Sequence, residues 1–113
     1  MRIVICDDDS NITILLSQML TTYFSKKKIK CPELSIFNSG ENLLADKEQK
    51  DIVFLDVEMP GFDGIYVGNE LKKQNESVII FIVTSYIEYL VQRFLNNWTF
   101  CAEYFYESAT QKT

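Results

Sequence analysis

Acidic and hydroxyl side chains directly follow three apolar runs of this sequence. Side chains of these types can bind metal ions and take part in catalysis. Asp7 and Asp8 follow one run, Asp56 another and Thr84 a third, while Asp9 needs no role beyond capping a helix. Three carboxylates held together would repel one another, and a hard cation with oxygen ligands such as Mg²⁺ resolves that conflict. A carboxylate beside such a cation can attack phosphorus and become an acyl phosphate, and a nearby hydroxyl can donate a hydrogen bond to a phosphoryl oxygen.

The composition excludes several other kinds of chemistry. The chain of 113 residues has no histidine, which removes His-based triads, His-ligated zinc and a base whose ordinary pKa is near neutrality. A net charge of -5 argues against a nucleic-acid surface, and three cysteines without paired spacing indicate reduced thiols. No apolar segment is long enough to span a bilayer. We therefore expect a soluble, cytoplasmic protein without membrane contact.

Two hydrophobic periods alternate along the chain. Short apolar runs predict strands at 2–6, 34–37, 52–55, 78–83 and 101–106. Apolar residues at three- and four-residue spacing predict helices between them, the first capped by Ser10 and the second by Ser39. This alternation predicts parallel strands joined by right-handed crossovers, which is an open α/β sheet with helices on both faces. The functional crevice of such a sheet lies beyond the carboxyl ends of its strands, where the acidic residues fall.

Three stretches of the sequence resemble the response-regulator receiver family. Residues 51–64 look like its phosphorylation-site signature, in which an apolar strand and the acceptor aspartate precede Met-Pro-Gly-x-Asp-Gly. Residues 3–9 resemble the first strand with its acidic pair, and residues 83–85 resemble the fourth strand. The resemblance extends over about residues 2–106.

The resemblance implies an architecture for the whole chain. It implies a single receiver domain over residues 1–113, of which 107–113 is a tail. The implied fold is flavodoxin-like, a doubly wound parallel sheet of five strands in the order 2-1-3-4-5. The helix that ends the family's fold has no counterpart in this sequence. Because its absence would leave apolar surface uncovered, we expect either self-association, for example as a homodimer, or low stability.

The resemblance also assigns roles to individual positions around a metal. Asp56 matches the phosphoacceptor, and Asp8 matches the acid that binds Mg²⁺ directly. Asp7 matches a partner acid that often acts through water. The backbone carbonyl of Glu58 matches the one that the family supplies to the metal. The implied metal ligands are therefore Asp7, Asp8, Asp56 and Glu58.

Two further positions match the family's switch residues, and one departs from its pattern. Thr84 matches the hydroxyl that contacts the phosphoryl group, and Tyr104 matches the switch aromatic. The family ends its fifth strand with lysine and proline, whereas this sequence has Glu107 and Ser108 there. An acid would thus stand where a cation usually contacts the phosphoryl group, and we expect phosphorylation to be possible but inefficient.

The resemblance implies a signalling function. We expect the domain to accept a phosphoryl group from a separate sensor histidine kinase, with Mg²⁺ as cofactor and without direct contact to nucleic acid. We do not expect an enzyme, beyond catalysis of its own phosphotransfer and dephosphorylation. Residues 84–86 with Gln92 and Phe94 also resemble the subgroup that is usually coupled to LytTR-type DNA-binding domains.

Three alternatives belong to other functional classes. The first is a receiver-like interaction module that keeps the fold but is phosphorylated little or not at all. The second is a phosphatase of the haloacid dehalogenase kind, whose second acid, two residues after its nucleophile, would correspond to Glu58. A dinucleotide enzyme is disfavoured because no Gly-x-Gly-x-x-Gly follows the first strand.

Overall fold

The computed structural model describes residues 1–83, which form a four-stranded parallel sheet with helices on both faces. The strands are β1 Arg2–Cys6, β2 Glu33–Phe37, β3 Ile52–Leu55 and β4 Ile79–Ile82. The helices are α1 Ser10–Lys26, α2 Gly40–Ala45 and α3 Gly64–Gln74. Strand and helix therefore alternate as the hydrophobic periods predict.

The strands are arranged in the order β2-β1-β3-β4, and every neighbouring pair is parallel. This order confirms the prediction for the first four strands. In the register of the two central strands, Cys6 pairs with Leu55, so β1 and β3 end side by side. The fifth strand predicted at 101–106 and the helical stripe between residues 87 and 98 lie outside the described residues.

Two apolar layers hold the helices against the sheet. Buried residues from β1, β3 and β4 pack against Leu43 of α2 and against Val67 and Leu71 of α3. On the opposite face, Ile3 and other strand residues pack against Leu16 of α1. Parallel strands that are covered on both faces have few polar positions, which explains why their runs in the sequence are almost continuously apolar.

The caps of the first two helices test the predictions of helix starts. Asp9 caps α1, since its backbone is extended and its side chain accepts a hydrogen bond of 2.9 Å from the backbone N–H of Asn11. Ser10 is the first residue of the helix, so its predicted capping role is wrong: the carboxylate one position earlier satisfies the helix terminus. Ser39 caps α2 as predicted and accepts a hydrogen bond of 3.1 Å from the N–H of Asn42.

The apolar stripe of α1 is wider than the face that it buries. Leu16 is buried, with Ile12 and Leu20 packed beside it, whereas Tyr23 at the end of the stripe is 54% exposed. The Nζ of Lys27 lies 5.8 Å from the centre of the Tyr23 ring.

Among residues 1–83, no helix combines the length and apolar composition that crossing a membrane requires.

Candidate phosphoacceptor and metal site

Three carboxylates meet at the carboxyl ends of the two central strands. Asp7 and Asp8 follow β1, and Asp56 follows β3. One carboxylate oxygen from each of the three lies within 4.8 Å of the others. Asp7 is buried, Asp56 is half-buried and Asp8 is exposed, so the cluster reaches from the sheet edge to solvent.

Backbone hydrogen bonds fix the positions of the two inner carboxylates, Asp7 and Asp56. The N–H of Asp56 donates to the Cys6 carbonyl at 2.9 Å, which extends the pairing of the two strands by one residue. The N–H of Asp9 donates to Oδ1 of Asp7 at 2.9 Å. The N–H of Glu58 donates to Oδ1 of Asp56 at 3.2 Å. These bonds orient the two inner carboxylates with donors that carry no net charge, so the negative charge of the cluster stays uncompensated.

Apolar packing beneath the cluster limits the access of water from the protein side. The thiol of Cys6 is buried, with its Sγ 3.8 Å from Sδ of Met59 and 3.6 Å from the Ser39 carbonyl oxygen. Burial raises the pKa of Cys6 to about 12, and the charges of Asp7 and Asp56 add to the effect. The thiol is therefore neutral and forms part of the core rather than a nucleophile.

The pKa values of the inner carboxylates are raised. Burial, followed by repulsion from Asp7, raises the pKa of Asp56 to about 8. Burial also raises the pKa of Asp7 to about 6, although the N–H of Asp9 opposes the shift. In the absence of a cation the pair thus retains a proton near neutral pH, because two adjacent carboxylates resist ionising together.

The donor set fits a divalent cation of the Mg²⁺ kind. Asp7, Asp8 and Asp56 offer only hard oxygen ligands, which Mg²⁺ prefers, and few protein ligands leave room for water. Within residues 1–83, none of the ion pairs formed by lysine or arginine involves these three aspartates. A bound cation would therefore supply the positive charge that this part of the chain does not.

Two glycines shape the loop that joins β3 to α3. At Gly64 a side chain would collide with the carbonyl oxygen of Asp56, and the Gly64 N–H donates to the Val57 carbonyl at 3.0 Å. Gly61 has a φ of 79°, a left-handed conformation that glycine adopts without strain. The loop can therefore return close to the backbone of Asp56 and Val57.

The described residues account for part of the predicted site. Asp7, Asp8 and Asp56 come together as predicted, whereas Thr84 and Tyr104 lie outside the described residues. The side chain of Glu58 is exposed, consistent with a position at which only the backbone is used.

Sequence reasoning missed Glu41, whose carboxylate lies against Gly61 in the β3–α3 loop. The sequence did contain a signal for Glu41, because it is an acidic residue in the first turn of α2, and that helix begins at the same edge of the sheet as the aspartates.

Comparison with known families identifies the family to which this chain belongs. The family model described as the response regulator receiver domain matches residues 3–97. The chain belongs to the response regulator receiver family. The three aspartates of this receiver lie within the matched segment, and so does Thr84.

Curated relatives agree with this assignment. An uncharacterized response regulatory protein of Vibrio cholerae is 32% identical over 96 residues, which span 80% of the receiver and 34% of that protein. Sporulation initiation phosphotransferase F of Bacillus subtilis is 33% identical over 91 residues, covering 77% of the receiver and 66% of the relative. The receiver thus spans about a third to two thirds of the length of these relatives.

Solved structures of one Thermotoga maritima protein are also similar. The response regulator TrrA in complex with Mg²⁺ and BeF matches with a TM-score of 0.74 and 27% identity, covering 97% of the receiver and 96% of TrrA. A complex of TrrA with the histidine kinase ThkA matches with a TM-score of 0.62 and 32% identity, covering 75% of the receiver and 69% of the matched chain. Membership of the LytTR-associated subgroup stays a prediction.

Proposed function

We propose that this receiver accepts a phosphoryl group on Asp56 from a sensor histidine kinase, in the presence of Mg²⁺. The observation that carries the proposal is the cluster of Asp7, Asp8 and Asp56, whose oxygens lie within 4.8 Å of one another at the carboxyl edge of the sheet. Of the three, Asp56 is the acceptor because it occupies the acceptor position of the family signature and is half-buried.

The chemistry follows from the arrangement of the Asp56 carboxylate. The N–H of Glu58 holds Oδ1 at 3.2 Å, which orients the side chain for attack by a carboxylate oxygen on the phosphorus of a phosphohistidine. An oxygen–phosphorus bond forms, the phosphorus–nitrogen bond of the donor breaks, and the released imidazole takes a proton from solvent. Asp56 becomes an acyl phosphate and must be ionised to react, so its raised pKa has to be lowered first.

The residues that would hold the metal are Asp8, Asp56 and the backbone carbonyl of Glu58, with Asp7 acting through water. When bound, Mg²⁺ neutralises the ligand carboxylates and the incoming phosphoryl oxygens. The N–H of Asp9 keeps Asp7 turned toward the cluster through a hydrogen bond of 2.9 Å. Asp8 is exposed, so it can bind a hydrated ion without being desolvated beforehand.

We further propose that Thr84 contacts the phosphoryl group and that Tyr104 responds to it as the switch aromatic. Glu107 stands where the family has a lysine, so we expect slow phosphorylation and weak coupling between Thr84 and Tyr104. The complex of TrrA with ThkA supports a histidine kinase as the phosphodonor. The receiver would act as a signalling component rather than as an enzyme with turnover. Cytoplasmic location, homodimerisation and the lack of nucleic-acid contact stay predictions.

Incubation with acetyl phosphate and Mg²⁺, followed by intact mass measurement, tests the proposal. We expect the wild type to gain the mass of one phosphoryl group and Asp56→Asn to gain none. We expect Asp8→Ala to bind Mg²⁺ more weakly by calorimetry, by about tenfold or more. Glu76→Ala is the matched control, since it removes an exposed carboxylate from the opposite end of the sheet.

Each failure points to a different alternative. A wild type that binds Mg²⁺ but never gains phosphoryl mass, even with a histidine kinase, would indicate an interaction module. Multiple turnover of a generic phosphate ester would indicate the phosphatase alternative. Unchanged Mg²⁺ affinity in Asp8→Ala would show that the ion binds elsewhere.

A further inference from the structure

The first turn of α2 lies against the loop that carries the phosphoacceptor site. Glu41 is the second residue of α2, and its side chain is exposed to solvent on one side. A Cβ placed on Gly61 would meet Glu41 first, because the three nearest atoms to that position are the two carboxylate oxygens and Cδ of Glu41. The residue before it, Gly40, is buried and packs against Phe62 and Val67. Two successive residues of α2 thus contact two successive residues of the loop.

Other contacts of this loop lie on either side of Gly61. At one end, the Gly64 N–H bonds to the Val57 carbonyl. Further along, Met59 is buried with its Sδ against Cys6. Gly61 has no side chain to pack and has a φ of 79°, a region in which glycine is stable but not confined. The contact with Glu41 therefore restricts the residue with the greatest conformational freedom in the loop.

We propose that Glu41 is a positioning residue of the phosphoacceptor site: its carboxylate, packed against Gly61, holds the β3–α3 loop in the path that presents the Glu58 backbone to the metal and to Asp56. This inference rests on the proposed function, because it concerns the same site. Glu41 acts through the loop and contacts neither the cation nor the phosphoryl group.

The shape of the side chain, rather than its charge, carries this role. The Glu41 carboxylate adds repulsion to an already acidic edge and is among the charges that raise the pKa of Cys6. A purely electrostatic effect would favour cation binding and oppose phosphoryl transfer, so Glu41→Gln would bind Mg²⁺ more weakly and be labelled faster than the wild type. A packing effect would instead be kept by Glu41→Gln and lost by Glu41→Ala, so the two variants separate the explanations.

The experiment measures Mg²⁺ affinity by calorimetry and labelling by acetyl phosphate in Glu41→Ala, Glu41→Gln and the control Glu76→Ala. We expect Glu41→Ala to weaken Mg²⁺ binding and to slow labelling, each by about tenfold. We expect Glu41→Gln and Glu76→Ala to stay close to the wild type. The urea midpoint should change little in all three, because these side chains are exposed.

A second arm tests the contact itself. Gly61→Ala should destabilise the protein more with Glu41 present than in the Glu41→Ala background, because the added methyl group meets the carboxylate only in the former. Amide NMR shifts of residues 57–63 in the metal-free protein should move in Glu41→Ala and not in Glu41→Gln.

The outcomes separate this inference from the proposed function. A wild type that neither binds Mg²⁺ nor labels sinks the proposed function and the role of Glu41 with it, before any variant is compared. A wild type that labels, together with a Glu41→Ala variant of equal affinity and rate, overturns the role of Glu41 alone. Equal losses in Glu41→Ala and Glu41→Gln would also overturn it, because packing would not be the cause.

Discussion

The charged residues at the two edges of the sheet differ in whether they form ion pairs. At the carboxyl edge, Asp7, Asp8 and Asp56 face one another, and within residues 1–83 no ion pair neutralises them. At the amino edge, Arg2 on β1 forms ion pairs with its acidic neighbours. The Arg2–carboxylate distances are 2.7 Å to Asp46, 3.2 Å to Glu33 and 3.7 Å to Glu48.

The pKa values of the aspartates express the same difference. The N–H of Glu48 and the guanidinium of Arg2 hold the pKa of Asp46 below its ordinary value. Burial and repulsion from Asp7 raise the pKa of Asp56 to about 8. One kind of side chain is thus stabilised in its ionised form at one edge and destabilised at the other. The difference indicates that the charges of the amino edge stabilise the fold, whereas those of the carboxyl edge have no compensating ion pair within residues 1–83.

The largest effect on stability is expected from removing the charged side chain of Arg2 at the amino edge. Arg2→Met should lower the free energy of unfolding by about 3 kcal/mol, because the Arg2 side chain is only 11% exposed and its loss leaves the mostly buried carboxylate of Asp46 unpaired. Urea unfolding measures this change. The exposed pair of Lys73 and Glu70, at 2.9 Å, provides the control, and Lys73→Met should lower the free energy of unfolding far less than Arg2→Met does.

Labelling of Asp56 should persist in Arg2→Met under conditions in which the variant is folded. If Arg2→Met and Lys73→Met lowered the free energy of unfolding equally, the ion pairs of Arg2 would not stabilise the fold more than an exposed pair does.

The same substitution should have opposite effects at the two edges. Without Mg²⁺, Asp56→Asn should stabilise the protein by about 1 to 2 kcal/mol, a value reduced for solvent screening, because it removes a charge that burial and neighbouring acids disfavour. Asp46→Asn should destabilise it by about 1 kcal/mol, because a charged hydrogen bond of 2.7 Å with Arg2 is weakened. Urea unfolding of both variants near pH 8 measures the two changes in the free energy of unfolding. If both changes had the same sign, the difference between the two edges would be refuted.

The pH dependence of the free energy of unfolding should reveal how unfavourable the ionised form of Asp56 is at the carboxyl edge. Folding raises the pKa of Asp56 from 3.8 to about 8, so the folded state binds more protons than the unfolded state between these values. Metal-free stability should therefore fall as the pH rises through that window, by about 1 kcal/mol after allowance for screening. Saturating Mg²⁺ should remove most of the fall. Parallel pH profiles for the wild type and Asp56→Asn would contradict this assignment.

The sequence was sufficient for the strands and helices of residues 1–83 and for the meeting of the three aspartates. Apolar runs identified the strands, and parallel pairing explains why acids that follow different strands meet at one edge. The 51–64 signature then singled out Asp56 among them. All of these inferences depend on local periodicity or on a contiguous motif, which one sequence displays directly.

The sequence was insufficient where a contact joins elements that are distant in the chain. Arg2 looked like the first residue of a strand, and its ion pairs with the α2–β3 segment depend on the order of the strands. Glu41 reaches Gly61 only because α2 and the β3–α3 loop lie at the same edge. The sequence offered both Ser10 and Asp9 as caps of α1, since both residue types are good caps, and only backbone geometry distinguishes them.

The most direct measurement locates the phosphoryl group. After incubation with acetyl phosphate and Mg²⁺, borohydride reduces an aspartyl phosphate to homoserine, and peptide mapping then identifies the modified position. The account predicts homoserine at position 56 of the wild type and none in Asp56→Asn. Modification at Asp7 or Asp8 instead, or labelling that persists undiminished in Asp56→Asn, would contradict it.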